Sequence, residues 1–207
     1  MNRLTEGGGP LYGRAELHLR LEPFAFEQCR PFLPNLKAVD RLLAYSITGG
    51  YPRHLLAWDN QLGLEDNMRN LVRPGSLLYD DASLVLNMGV WDTHVGSVFE
   101  DESRRHCARL VTTGQLPNSL IGRWWRSGRH AIEIDVAGRS DDRFVLAGEA
   151  KWSSTITGER QFSRLKASAN AAWGEDPDRI HVIWSRKRVR TKDSNDRSFS
   201  IDDMAKG

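Results

Sequence analysis

The chain has little cysteine, no long apolar run and almost no net charge, and each shortage removes a class of protein. Its 207 residues include only two cysteines, Cys29 and Cys107. They lack a CxxC spacing or a Cys/His cluster, which argues against a disulfide framework and against a zinc site. A reduced, cytoplasmic protein is therefore expected. No run of about 18 apolar residues is present to span a bilayer, and the opening MNRLTEGGGP lacks the apolar stretch of a secretory signal. Neither membrane insertion nor secretion is expected. Twenty-nine Lys+Arg against 27 Asp+Glu leave a formal charge of +2, so a nucleic-acid partner must be held by a local basic patch rather than a global cationic field. A G-x-x-x-x-G-K-[ST] loop is also missing. Glycines 7 to 9 are not followed by Lys-Ser or Lys-Thr, so they do not form a P-loop cradle for nucleotide phosphates.

What is present describes a folded chain. Hydrophobic residues make up 40% and charged residues 27%, with seven Trp, a balance that supports one large core or two small ones. Residues 16–22 alternate polar and apolar and predict a half-buried strand ended by Pro23. Residues 36–47, with Val39, Leu42, Leu43 and Ile47 at near-helical intervals, predict a helix stopped by Gly49 and Gly50. Further short helices are expected from Pro52 and over 64–72, up to Pro74 and Gly75. From about Thr93 the pattern changes. A helix is predicted over 95–110, then strands over 121–125, 131–137 and 144–151, a helix over 158–173 and a buried strand over 180–184. The order is α-β-β-β-α-β, and a polar, basic tail follows Ser185.

Chemistry concentrates in this second half. Strict alternation puts Ile132, Ile134 and Val136 on one face of their strand, with Glu133 and Asp135 on the other. Glu149 and Lys151, two apart, share a face of the next strand, and a helix carrying Glu100 can add a carboxylate from above. Carboxylates on adjacent strands suit Mg²⁺ or Mn²⁺, which polarises a phosphodiester and acidifies a bound water. Lys151 would then orient that water or stabilise charge on the phosphate. An acidic-x-Lys triplet alone arises by chance about once or twice in a chain of this composition, and charges two apart on a strand also mark a solvated face. Its pairing with Asp135, on the preceding strand and within this element order, is what gives the triplet meaning.

Four blocks carry a family resemblance: Val95-Gly96-Ser97-Val98-Phe99-Glu100, Ile121-Gly122-Arg123-Trp124-Trp125, Glu133-Ile134-Asp135-Val136-Ala137 and Gly148-Glu149-Ala150-Lys151-Trp152. Over about residues 94–185 they resemble the C-terminal domain of the archaeal-type DEXX-box ATPases, itself similar to the PD-(D/E)XK phosphodiesterase superfamily. The resemblance implies an α/β (α+β) fold, with a small helical N-terminal segment followed by a restriction-endonuclease-like α-β-β-β-α-β domain with a mixed sheet. It carries the metal-binding acid onto Asp135, the paired acid and lysine onto Glu149 and Lys151, and the helical acid onto Glu100. Pro10-Leu11-Tyr12-Gly13-Arg14, Leu21-Glu22-Pro23-Phe24, Tyr45-Ser46-Ile47-Thr48-Gly49-Gly50-Tyr51-Pro52 and Leu78-Tyr79-Asp80-Asp81 resemble the end of that family's ATPase core and its helical lid. The Walker motifs are missing, and between Val90 and Thr93 there is no room for the family's winged helix.

The implied organisation is therefore a remnant of ATPase core and lid over 1–90, a nuclease-like domain over 91–190 and a polar tail over 191–207. Mg²⁺ or Mn²⁺ is the expected cofactor, with DNA or a partner ATPase as the expected partner. The basic run Arg186, Lys187, Arg188 and Arg190 could offer a phosphate-binding strip beside that face, but a solvated tail is the simpler reading. Arg14 and Arg53 either contact nucleotide phosphate in an intact relative or are surface charges. Trp124, Trp125, Trp152, Trp173 and Trp184 are expected mainly in packing roles rather than base stacking. His94, His106, His130 and His181 show no ligand spacing and are expected to be structural. A non-catalytic binding module and a decayed fragment with exposed apolar helix faces remain open beside the nuclease reading.

Overall fold

The computed structural model of the chain describes residues 21–79, 90–153, 155 and 158–206. A 3-10 turn, Phe26–Cys29, leads into helices α1 (Ala38–Thr48), α2 (Pro52–Leu56) and α3 (Leu64–Val72). Helix α1 buries Ala38, Leu42 and Tyr45 along one stripe, as residues four and three apart must. It ends at Gly49, whose φ of +60° closes the last turn. Gly50 follows at φ +72°, and a Cβ there would lie 2.1 Å from the Phe24 carbonyl oxygen. Only glycine fits, because the Phe24 N–H donates to the Gly50 carbonyl at 2.9 Å.

Helix α4 (Trp91–Thr112) is the longest element described. Its buried stripe runs through Val95, Phe99, His106, Cys107 and Leu110. Strands β1 (Leu120–Arg126), β2 (Ile132–Ser140) and β3 (Arg143–Lys151) follow, then helix α5 (Gly158–Trp173), strand β4 (Ile180–Ser185), strand β5 (Asp196–Ser200) and helix α6 (Ile201–Met204). The five strands lie in sequence order in one sheet. The first two pairings are antiparallel hairpins, whereas β3–β4 and β4–β5 are parallel. This is a mixed α+β architecture, with a helical N-terminal part before the sheet. The parallel β3–β4 step requires a crossover, which α5 supplies.

The sheet separates two apolar layers. On one face, Val136, Leu146, Val182 and Trp184 join α4, α6 and the N-terminal helices in a single cluster that includes Phe26, Leu42, Phe99 and Ile201. On the other, Ile134, Ala147 and Ile183 pack against Phe162, Leu165 and Ala169 of α5. Helix α1 therefore buries its apolar stripe against α4, and α3 packs on α1, with Leu55 of α2 and Leu71 of α3 in the same core cluster. Polar bonds add to that junction. The Tyr45 hydroxyl donates to Glu102 Oε1 at 3.0 Å, His94 Nε2 lies 2.8 Å from the Ser46 carbonyl oxygen, and Arg109 pairs with Glu27 at 2.8 Å.

Three expectations need correction or lie outside the described residues. The supposed polar tail over 191–207 contains β5 and α6, whose Ile201 and Met204 are core residues. Pairing with β4 satisfies the backbone there, and Ser200 caps α6 by accepting the Asp203 N–H. Ile134 and Val136 do not share a face; they belong to different core layers. The strand expected over 16–22 falls mostly outside the described residues, as do Arg14 and the segment 10–14, and Leu21 and Glu22 are not in a strand. Among the described residues, no helix is long and apolar enough to cross a membrane.

Candidate functional site

The exception to alternation in β2 builds the site. Gly122 of β1 pairs with Ala137 and Trp124 with Ile134, so two residues of β2, Asp135 and Val136, stand opposite the single Arg123. This is a β-bulge, which re-aims side chains and interrupts the ladder. Val136 turns into the α4 layer while Ile134 stays in the α5 layer. On the other side, β2–β3 pairing begins only at Val136 with Gly148. Beyond that point the Asp135 side chain replaces the ladder, its Oδ2 accepting the Ala150 N–H at 2.9 Å. The Asp135 carbonyl is in turn held by Arg104 of α4 at 2.7 Å, and Arg104 also pairs with Asp101.

Gly148 lets the strands close up just before the acidic pair. A Cβ there would approach Trp184 Cζ3 to 2.6 Å and Val136 Cβ to 3.0 Å. Parallel pairing of Glu149 with Ile183 and of Lys151 with Ser185 keeps the end of β3 in place after β2 has parted from it. Glu149 and Lys151 do share a face, and they form an ion pair at 2.8 Å.

Asp135, Glu149 and Lys151 line one cavity of about 240 Å³, closed on the α5 side by Arg164, Leu165 and Ser168. Glu100 is not in that lining. It is close enough for the two carboxylates to feel each other, for burial and then the Asp135 charge hold the Glu100 carboxyl above its usual range. Burial likewise raises the Asp135 carboxyl, with the Ala150 N–H and Lys151 opposing. Burial works against the Lys151 ammonium, but the hydrogen bond and charge of Glu149, with Asp135 beyond, outweigh it and keep Lys151 more firmly charged. Thus the sheet end brings two carboxylates and a paired cation to one cavity.

Sequence reasoning missed Arg104, Arg164 and Ser168. Arg104 carried a signal, since it lies one turn after Glu100 on the same helix. For Arg164 and Ser168 the only hint was their place on the polar side of α5.

The remaining candidates scatter. Arg186, Lys187, Arg188 and Arg190 sit on the connection between β4 and β5. Arg186 lies over the Trp152 ring at 5.1 Å, Arg188 pairs with Asp203 at 2.9 Å, and Lys187 is exposed. Arg190 lines a different cavity, beside Lys166 and Lys192. Arg53 is exposed on α2. Trp184 is fully buried and donates to His106 Nδ1 at 3.0 Å. Trp173 stacks on Phe144 at 4.2 Å, Trp124 meets Trp173 edge-on at 5.4 Å, and Trp152 packs against Phe99 at 5.3 Å. His181 is buried beside Asp196, its Nδ1 3.8 Å from Oδ1, and His130 is exposed.

Among the described residues, no group of three or more His, Cys, Asp or Glu is placed to hold a metal ion. Asp135 and Glu149 nevertheless fit a hard divalent ion in donor type and charge. Mg²⁺ typically takes one or two carboxylates from a protein and completes its shell with water and substrate phosphate. Asp135 spends only Oδ2 on the Ala150 N–H.

Residues 82–165 are similar to DUF234, a family described as archaeal and bacterial proteins of unknown function. No curated protein sequence matches the chain. Among solved structures, protein VC1899 from Vibrio cholerae is similar at 12% identity and a TM-score of 0.41, over 87% of this chain and 50% of that one. The present chain thus spans about half the length of that protein.

Proposed function

We propose that the sheet end formed by Asp135, Glu149 and Lys151 is a PD-(D/E)XK-type site for divalent-metal-dependent hydrolysis of DNA phosphodiesters. The observation that carries this reading is the bulge, which brings Asp135 into one cavity with Glu149 and Lys151. Asp135 and Glu149 would hold Mg²⁺ or Mn²⁺, with Glu100 approaching from α4. The ion supplies Lewis acidity toward the phosphate and acidifies a water. Lys151, kept charged by Glu149, neutralises charge developing on the phosphate oxygens. Arg104 holds the bulge against α4 and so sets where the Asp135 carboxylate sits. The resemblance of the four sequence blocks to the C-terminal domain of archaeal-type DEXX-box ATPases is the sequence argument for this reading.

A second reading has its own support. The Glu149–Lys151 ion pair satisfies both groups without a metal, as it would in a module that binds DNA or a partner ATPase without cleaving. Mn²⁺ titration followed by calorimetry separates them. Hydrolytic function requires saturable binding that disappears in Asp135→Asn and in Glu149→Gln, whereas no heat at millimolar Mn²⁺ would leave the binding module.

A further inference from the structure

The hairpin that joins β1 to β2 exposes an indole together with two arginines. Residues 125–131 are all exposed, and Gly128 turns the chain at φ +101°. Trp125 is 66% exposed, while Trp58 and Trp184 are buried and Trp124, Trp152 and Trp173 pack against other rings. An indole in water forfeits the burial that normally makes Trp worth placing. Arg126 shares a groove with Trp125, and Arg129 is exposed on the same hairpin. Arg126 donates only to the His130 carbonyl, at 3.3 Å, and neither arginine has a carboxylate partner among the described residues. Arg123, in contrast, is neutralised by Glu133.

A groove of about 590 Å³ is lined by Trp125 and Arg126 together with Arg123, Ala131, Ile132 and Glu133. Glu133 also lines the cavity of Asp135, Glu149 and Lys151. The groove and that cavity are thus neighbours across one residue.

We infer that the β1–β2 hairpin binds single-stranded nucleic acid, with one base stacked on Trp125 and flanking phosphates on Arg126 and Arg129, and leads the strand into the adjoining cavity. This rests on the hydrolytic reading for what happens in the cavity, but the binding itself does not need it. The two free guanidinium groups complement a polyanion. The bare indole selects a partner with free π-faces, which unpaired bases have and duplex bases, stacked on both sides, do not. A protein partner would be expected to bring carboxylates to both arginines and an apolar pocket to Trp125.

The test is fluorescence anisotropy of a labelled oligothymidylate in EDTA, so that binding is read without cleavage. Trp125→Ala is expected to weaken binding roughly tenfold, with Trp125→Phe recovering most of it. Arg126→Ala combined with Arg129→Ala is expected to reduce the salt slope by about 1.4. Undiminished binding by Trp125→Ala, or tighter binding of the same length of duplex, overturns the inference, as does an absence of binding. Trp125-dependent binding with no cleavage in Mg²⁺ or Mn²⁺ supports the hairpin and contradicts only the hydrolytic reading.

Discussion

Asp135 and Ala150 are joined across the open end of the β2–β3 pair, the carboxylate of one accepting the backbone N–H of the other at 2.9 Å. The bond stands where a ladder bond would, so Asp135 has a structural task as well as a chemical one. Asp135→Ala leaves the Ala150 N–H without its acceptor and is expected to cost about 1–3 kcal/mol. Asp135→Asn keeps an acceptor and removes a buried charge whose protonation burial already favours. Its melting temperature is therefore expected to equal or exceed that of the wild type, a trade of stability for function. Thermal unfolding of the two variants side by side checks the sign of each.

Gly148 is the second fixed point. Its missing Cβ is what lets Trp184 and Val136 close over β3. Gly148→Ala is expected to destabilise by about 1–3 kcal/mol through overpacking, read as a lower urea midpoint with an unchanged slope. An unchanged midpoint would show that Trp184 can move aside.

Much of this arrangement is legible in the sequence, and the exceptions have physical causes. Helix α5 follows from apolar spacing and α3 from its run up to the Pro74-Gly75 stop, and Asp135, Glu149 and Lys151 are picked out by position. The bulge is not, because period two assumes an unbroken ladder, and Ile134 and Val136 look alike whether or not one residue is inserted. Strand β5 is missed because Asp-Arg-Ser-Phe-Ser reads as polar. Its buried members are stabilised by long-range bonds instead, Asp196 to Lys166 at 3.0 Å and Ser198 Oγ to the Val189 N–H at 2.9 Å. The seam expected near residue 90 is bridged by Tyr45 and Glu102, 57 positions apart, a contact no local pattern announces.

Burial of C-terminal side chains makes the last strand and helix part of the core. Ile201→Ala is expected to cost about 2–5 kcal/mol, measurable by chemical denaturation. A loss below half of that range would return residues 196–204 to the status of an appendage.

Two buried histidines set an acid limit. Burial, aided by Arg109, pushes His106 down to about 4, and burial with Lys166 and Arg179 does the same to His181. His106 Nδ1 accepts the Trp184 N–H and so must be unprotonated there. Both groups bind a proton more readily when unfolded, so stability is fully present above about pH 6.5 and falls as the pH drops toward 4. The loss is on the order of 3 kcal/mol for His106, and His181 adds to it in the same direction. His106→Gln should flatten that fall, which a series of urea melts between those limits would show.

The claim at the centre is that Asp135, Glu149 and Lys151 act together on a phosphodiester, and strand cleavage tests it most directly. A labelled single-stranded DNA incubated with the purified chain in Mn²⁺ is expected to be cut. The rate should fall by about a hundredfold or more in Asp135→Asn, and Lys151→Met should lower it while leaving Mn²⁺ binding intact. Cutting that persists at the wild-type rate in Asp135→Asn, or a folded wild type that binds the strand and never cuts it, would contradict the assignment.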